Sequence, residues 1–499
     1  MPALDSKGNS DIYMKSVSKK VVQNTFFILT GRIASLLFNM ITVVVLARTL
    51  GEETFGVFSY SLVFVGFFSL LPNFGMKPII VREVSRNRSN ADVLLGHALF
   101  AKLSFSIIAI ILINLSAVLF FSDGTLRHSL FVLSFILLLS SKLDTVRIVF
   151  ESPFYADMDM KYPVLFELLD SFLQLLWILV FVFLKAPYNH LLLAYVFAHI
   201  PGLGITLFLS WRRIRPRIVF MKKKMFWLFK EASPLFFYLV FSMIFNRLDV
   251  LFLKSMYGER MVGIYSAAFR LTVPLSFIPI AIATALYPLM SKARMEDGSM
   301  LPTAFTLGSK VLLALGLCTG VLGMLIGKSL FVFLYGDRFA EAVLPFQLLL
   351  WSQAFVFATY FLVDFNNSQN AQKKNTLSAA VMLAVSFFLN WILIARFAAV
   401  GAGMAKIVLD ITGFFVLYQL SRSVVPVNRI KIFLNTAGVL LVLLFISTRS
   451  FFDSLHFGWK VCFSGIFMSV FLMRLFSREE TMFLKKILRS FLAKPVLLE

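Results

Sequence analysis

The chain has 499 residues, 59% of them hydrophobic with 58 phenylalanines, and a mean hydropathy of +0.84. A water-soluble fold could not bury that much apolar surface, so the bilayer is the expected solvent. The net charge of +22 raises nucleic acid as a partner, but the distribution of the basic residues between apolar runs argues for a membrane protein instead.

Apolar runs of about 20 residues are long enough, at 1.5 Å per residue, to cross a hydrocarbon core of roughly 30 Å. The sequence predicts about fourteen such helices, near residues 22–47, 56–76, 94–121, 129–150, 163–184, 190–211, 233–254, 264–288, 306–327, 343–363, 376–395, 398–420, 433–448 and 458–476. A polar lead of about 20 residues precedes a first apolar run far longer than a leader's hydrophobic core, so an uncleaved anchor is expected. Sorted on this scheme, about 31 Lys and Arg fall in the N-terminal tail, the even-numbered loops and the C-terminal tail, against about 10 in the odd-numbered loops. This bias predicts a multi-pass protein of the cytoplasmic membrane with both termini in the cytoplasm.

The first half carries its polar residues on particular helices. Arg32 lies two turns before Asn39 on helix one, on the same face. Helix five carries Glu167, Asp170 and Gln174 at i, i+3 and i+7, again on one face; an intramembrane carboxylate there can serve proton or sodium coupling, or Glu167 can pair with a basic loop at the boundary. His199 in helix six is either a titrating group or a satisfied packing residue. The basic run "WRRIRPRIVFMKKKMFWLFK" (211–230) between helices six and seven reads as an orientation-setting loop on anionic lipid or as a surface for pyrophosphate.

Helix seven places Arg247 and Asp249 in the middle of an apolar run, beside Asn246. A charge at that depth costs about 2.5–3.5 kcal/mol, so it faces a protein interior or a water-filled cavity. The two are separated by two positions and point apart, so neither simply satisfies the other. They either line a cavity or pair with other helices. Helix twelve carries Lys406 and Asp410 four apart, which suits an intrahelical ion pair, although Lys406 also falls opposite His199 in the repeat described next; Asn390, Asp364 and Arg270 are weaker candidates. Cys318 and Cys462 fall inside predicted helices as small apolar residues, and "TMFLKKILRSFLAK" (481–494) reads as an amphipathic helix on the membrane surface. The sequence contains no phosphate-binding GxxxxGK[ST] loop and no cluster with metal-ligand spacing. An enzyme and a metal site are therefore not expected.

An internal repeat organises the chain. "FNMITVVVLARTLGEETFGVFS" (38–59) and "FNRLDVLFLKSMYGERMVGIYS" (245–266) align without gaps at an offset of 207, with eight identities that include Asn39/Asn246, Gly51/Gly258, Glu52/Glu259, Gly56/Gly263 and Ser59/Ser266. Six helices per unit is an even number, so both copies enter from the same side. The expected fold is an all-α polytopic membrane protein with two parallel-related six-helix lobes plus two C-terminal helices. Its expected divisions are an N-terminal tail (1–21), an N-lobe (22–211), a basic interlobe loop (212–232), a C-lobe (233–420), two added helices (433–476) and a cytoplasmic tail (477–499).

The turns "ARTLGEETFGVFSYS" (47–61), "REVSR" (82–86), "YGERMVGIYSAAFRL" (257–271), "YGDRFAEAVLPFQLLLWS" (335–352) and "LNWILIARFAAVGAGMAKI" (389–407) resemble the polysaccharide transporter (Wzx-type flippase) branch of the multidrug/oligosaccharidyl-lipid/polysaccharide exporter superfamily, over nearly the whole chain. That resemblance implies the architecture shared with the multidrug (MATE) and peptidoglycan-precursor (MurJ) branches. It also implies the flipping of a polyprenyl-diphosphate-linked glycan through a cavity between two lobes, with polymerase and glycosyltransferases as functional partners. Under it Arg32, Asn39, Asn246, Arg247, Asp249, His199 and Lys406 are expected to meet the substrate. Glu167, Asp170, Asp249 and Asp410 are expected as ion-coupling candidates, with no cofactor beyond a coupling proton or sodium ion. A multidrug antiporter and a peptidoglycan-precursor flippase are the alternatives, and a non-transporting scaffold is disfavoured by the buried charges.

Overall fold

The computed structural model describes residues 6–217, 221–283, 290 and 301–422. The predicted helices at 433–448 and 458–476, Cys462 and the amphipathic tail lie outside these residues. The described chain is almost wholly helical, and eight of its helical runs are long and apolar enough to cross a membrane. It divides into two compact units, Met1–Pro274 and Leu275–Glu499.

The first unit contains α1 (Ser6–Asn73), α2 (Lys77–Arg86), α3 (Ala91–Phe120), α4 (Gly124–Ser134), α5 (Ile136–Leu139), α6 (Arg147–Ala156), α7 (Lys161–Phe183), α8 (Tyr188–Phe197), α9 (Ile200–Arg213) and α10 (Lys222–Thr272). Its surface inverts the usual pattern of a soluble helix. On α3 the large residues Ile107, Ile111, Leu115 and Leu119 are exposed at every fourth position, while Ala98, Ala101, Lys102, Ala109 and Ala117 are buried. A stripe of large aliphatic side chains turned outward is what a lipid solvent permits.

The repeated segment explains how α1 and α10 are built. Two predicted helices merge in each, with a single non-helical residue at Gly51 (φ 74°, ψ 177°) in α1 and at its equivalent Gly258 (φ 78°, ψ −168°) in α10. Only glycine occupies this region without severe strain. Each break is followed by a glutamate, Glu52 or Glu259, at the start of the new helical stretch, where a carboxylate meets the positive end of the dipole. The two copies then pack on each other. A Cβ on Gly56 would lie 1.9 Å from the Glu259 carbonyl oxygen, and one on Gly263 would lie 1.9 Å from that of Glu52. This reciprocity is that of a two-fold relation between the copies. Arg260 donates to Glu52 across the contact at 2.6 Å.

Two expected helices are interrupted. The run predicted at 129–150 is α4 and α5, then a non-helical stretch of turn and bend at 140–146 that includes Asp144 in the left-handed region (φ 51°), then α6. The polar sequence "SSKLDT" supplies side chains that bond locally to the backbone in place of helix, as when Lys142 N–H donates to Ser140 Oγ at 3.2 Å. The run predicted at 190–211 breaks between α8 and α9 at Ala198–His199, ahead of Pro201, which has no N–H to continue the ladder.

The second unit contains α11 (Leu301–Tyr335), α12 (Val343–Ser368) and α13 (Gln372–Ser421), the last broken at Ala398. Gly308, Gly316, Gly320 and Gly323 form a seam on α11, and an added Cβ at each would come within 2.5 Å of Phe361, Ala354, Trp351 or Leu350 of α12. Small residues let two apolar helices approach closely enough for dispersion to hold them. One end of this core is polar, where Asn366 donates to Asn375 at 2.9 Å and accepts from Ser421 Oγ at 3.0 Å.

Candidate functional site: a polarised cavity in the first unit

A cavity of about 350 Å³ lies within the first unit, walled chiefly by α1 and α10. Six pairs of its lining residues stand at the repeat's offset of 207, three inside the aligned segments (Met40 and Arg247, Val43 and Val250, Ser59 and Ser266) and three just beyond them (Leu62 and Phe269, Val63 and Arg270, Gly66 and Val273). The cavity therefore straddles the local two-fold relation between the copies. Its backbone frame is symmetric and its chemistry is not. Both cations come from the second copy, where the first supplies Met40 and Val63.

Arg247 and Arg270 both stack on aromatic rings. The Arg247 guanidinium lies 4.1 Å from the centroid of Phe269, and that of Arg270 sits 5.9 Å from Phe55 and 5.6 Å from Phe58. An aromatic face holds a guanidinium through its quadrupole and leaves the planar fork of N–H donors free for a carboxylate or phosphate. Among the described residues the lining contains no Asp or Glu. Asp249, two positions from Arg247, lies outside that lining, and its charge still acts on the Arg247 guanidinium. It is buried and accepts hydrogen bonds from Tyr265 Oη at 2.5 Å and Val250 N–H at 2.7 Å.

Of the other residues expected at the site, Asn39 lines the cavity. It donates to Ser35 O (2.6 Å) and to Ser171 Oγ (3.1 Å) and accepts from Lys142 Nζ (2.6 Å). Arg32 is exposed on α1. Asn246 bonds back to its own helix at Ser242 (2.9 Å). Glu167 is half-buried on α7, and neither it, Arg32 nor Asn246 belongs to the cavity lining. Lys406 and Asp410, in the second unit, face each other at 3.2 Å along α13.

Asp170 and His199 meet in a separate buried group. Asp170 Oδ2 accepts from Arg147 Nη1 at 2.5 Å and lies 3.2 Å from His199 Nδ1; Arg147 Nε lies 3.1 Å from Glu151 Oε1. All four side chains are essentially sealed from solvent. Gly202 makes the room, since a Cβ there would stand 1.9 Å from Asp170 Oδ1. The α7 face predicted from Glu167, Asp170 and Gln174 thus splits its tasks: Asp170 meets Arg147, and Gln174 accepts from Lys142 at 3.2 Å.

Arg147, Glu151, Lys102 and Lys142 were not among the residues singled out from sequence. Lys102 is fully buried, and its ammonium donates to the carbonyls of Pro72 (2.8 Å), Asn73 (3.3 Å) and Asp144 (2.8 Å). It closes the end of α1 onto the non-helical stretch 140–146, and Lys77 adds an ion pair to Asp144 at 2.9 Å. The available signal was the cluster of polar residues from Ser140 to Arg147 inside an apolar run, which marks a broken membrane helix rather than the end of a continuous one.

Residues 21–294 match the family model described as polysaccharide biosynthesis protein. The chain belongs to that family. Its fold is similar to that of the lipid II flippase MurJ in an inward closed conformation, with 15% identity, a TM-score of 0.70, and coverage of 94% of this chain and all of that one. It is also similar to the MATE multidrug transporter DinF-BH, solved as a complex (16% identity, TM-score 0.61, 81% and 95% covered). A third similar structure is a transporter of the multidrug/oligosaccharidyl-lipid/polysaccharide superfamily from Pyrococcus furiosus (16% identity, TM-score 0.57, 81% and 96% covered). Comparison with curated protein sequences finds no match. The polysaccharide biosynthesis family and this shared fold make the chain a multi-pass membrane protein of the transporter kind, with the all-α architecture common to MurJ and the MATE proteins.

Proposed function

We propose that this chain is a flippase that carries a polyprenyl-diphosphate-linked oligosaccharide from the cytoplasmic to the outer leaflet of the inner membrane, by alternating access and with both termini in the cytoplasm. The observation that supports this reading best is the polarised cavity: two guanidiniums stacked on rings, no acid among the described lining residues, and an apolar wall opposite. A diphosphate is the anion whose geometry suits the forked donors of two arginines. Serines and Asn39 offer partners for hydroxyls, and Met40, Val43 and Val63 suit the first part of a lipid chain. A carrier of this kind breaks no bond in its cargo, so it acts without catalysis. An ion gradient would supply the energy, with the buried Asp170 and His199 group as the place where a coupling proton would act. Glycosyltransferases and a polymerase would stand before and after it, and anionic lipid would meet its basic loops. A lining with two cations and no carboxylate is a poor host for a cationic drug, which argues against the antiporter alternative.

The test is mass spectrometry of lipid-linked glycans from a strain lacking this chain, with peptidoglycan precursor as internal control. The expected result is accumulation of an unpolymerised polyprenyl-diphosphate oligosaccharide with loss of surface polysaccharide. Accumulation of the peptidoglycan precursor alone would transfer the reading to that cargo, and an unchanged glycan-lipid pool would overturn it.

A further inference from the structure

We infer that Lys142, on the non-helical stretch between α5 and α6, is a third cation of the cavity and contacts the substrate anion; this rests on the reading of the cavity as a diphosphate site. The argument starts from the backbone. Irregular backbone at membrane depth persists only where protein encloses it or where it lines a cavity, and here several groups fix it. Lys102 holds the Asp144 carbonyl at 2.8 Å, Lys77 holds the Asp144 carboxylate at 2.9 Å, and Asn73 Nδ2 donates to Leu143 O at 3.3 Å. Leu143 is itself part of the cavity wall. A stretch anchored in this way presents the neighbouring residue in a defined place.

The side chain of Lys142 is exposed, and its ammonium reaches Asn39 Oδ1 at 2.6 Å and Gln174 Oε1 at 3.2 Å. Both partners are neutral amides. Among the described residues no carboxylate lies within ion-pair distance of Lys142, whereas the nearby Lys77 and Arg147 each have one. Lys142 is not itself among the described lining residues, but Asn39 and the chain neighbour Leu143 are, so the ammonium stands directly behind the cavity wall, held by bonds weaker than those an anion offers. A diphosphate in the cavity competes for it. Arg247, Arg270 and Lys142 then supply cations from two different places, α10 and the non-helical stretch. Lys142 has no counterpart in the repeat alignment, which covers 38–59 and 245–266.

The probe is inorganic pyrophosphate, titrated calorimetrically into the purified full chain in lipid nanodiscs. Lys142→Gln is expected to weaken binding by about tenfold to a hundredfold, the loss of one charge-assisted contact, and Lys142→Arg to restore most of it. Lys142→Cys, in a background with Cys318 and Cys462 replaced by serine, tests charge independently of folding. Attachment of an aminoethyl thiol reagent should recover binding and a neutral reagent of the same length should not. If Lys142→Gln and Lys142→Cys bind like the parent while Arg247→Gln binds weakly, the inference fails and the anion cavity stands. If the unaltered chain binds no pyrophosphate, the anion cavity itself fails. Equal recovery with the neutral reagent would also overturn the role of charge.

Discussion

Arg147 shows what a single residue can demand of its surroundings. Its guanidinium is sealed from solvent, and its charge is met by Asp170 at 2.5 Å and Glu151 at 3.1 Å. Removing one partner of a buried pair leaves a charge that neither water nor protein compensates, which costs about 3–5 kcal/mol. Asp170→Asn keeps the shape and removes the charge, so thermal unfolding of the purified variant should fall accordingly. The triple variant Arg147→Met/Glu151→Leu/Asp170→Leu, which removes all three charges, should recover most of the loss. A melting curve unchanged by Asp170→Asn would mean that Glu151 alone suffices. Lys102 offers a second case. Lys102→Met would leave the carbonyls of Pro72, Asn73 and Asp144 without their buried donor, and we expect a lower yield of folded protein with export lost as the non-helical stretch loosens, measured by size-exclusion of the solubilised variant. The sequence disclosed these charges unevenly. Asp170 was readable as an intramembrane acid because its helix is continuous and periodic. Arg147 was hidden because it falls near the end of the run predicted at 129–150, where a basic residue looks like an ordinary boundary charge.

At the level of elements, the repeat was the most informative feature of the sequence, and its meaning is mechanical. Gly51 and Gly258 make the same single-residue break, and Gly56 and Gly263 let the two copies touch through their backbones. The helices were legible because runs of about 20 apolar residues leave few alternatives in lipid. The interruptions at 140–146 and 198–199 were not, because hydropathy averages over a window and a short polar stretch flanked by leucines still scores as membrane. The close approach at Gly56 gives a direct prediction. Gly56→Ala places a methyl 1.9 Å from a carbonyl oxygen, so α1 and α10 must separate, and export should fall sharply even if the protein still inserts. Gly51→Ala meets open space but forces a side chain onto φ 74°, a strain of about 1–3 kcal/mol. It should therefore lower the melting temperature while leaving residual export. Equal effects from both would show that the backbone contact is not special.

For the whole molecule, the family and the fold were legible from the turns that join the helices, but the cavity's asymmetry was not, because it emerges only when equivalent positions are seen facing one another. Arg247 attracted attention in the sequence as a charge in an apolar run, and Arg270 much less, since it follows a helix start where head-group contact is the simpler reading. Their equivalents Met40 and Val63 carried no signal at all. The pairing of Met40 with Arg247 across the local two-fold relation makes a swap possible that keeps the composition of the cavity and reverses its polarity. Arg247→Met alone should abolish export at normal membrane abundance, because one of the two forked donors is gone. Met40→Arg combined with Arg247→Met returns the charge to the cavity on the opposite wall. If a charged cavity were all that transport needs, this double variant would export; if the cargo must enter with its anion toward α10 and its lipid chain toward α1, export stays lost although pyrophosphate binding returns. We expect the second result, because Arg270 and the ring of Phe269 remain on the α10 wall and the double variant divides between two walls an anion site that one wall had held. Surface polysaccharide measured alongside pyrophosphate binding separates the two outcomes, and recovery of both would show that the cavity reads charge without reading direction.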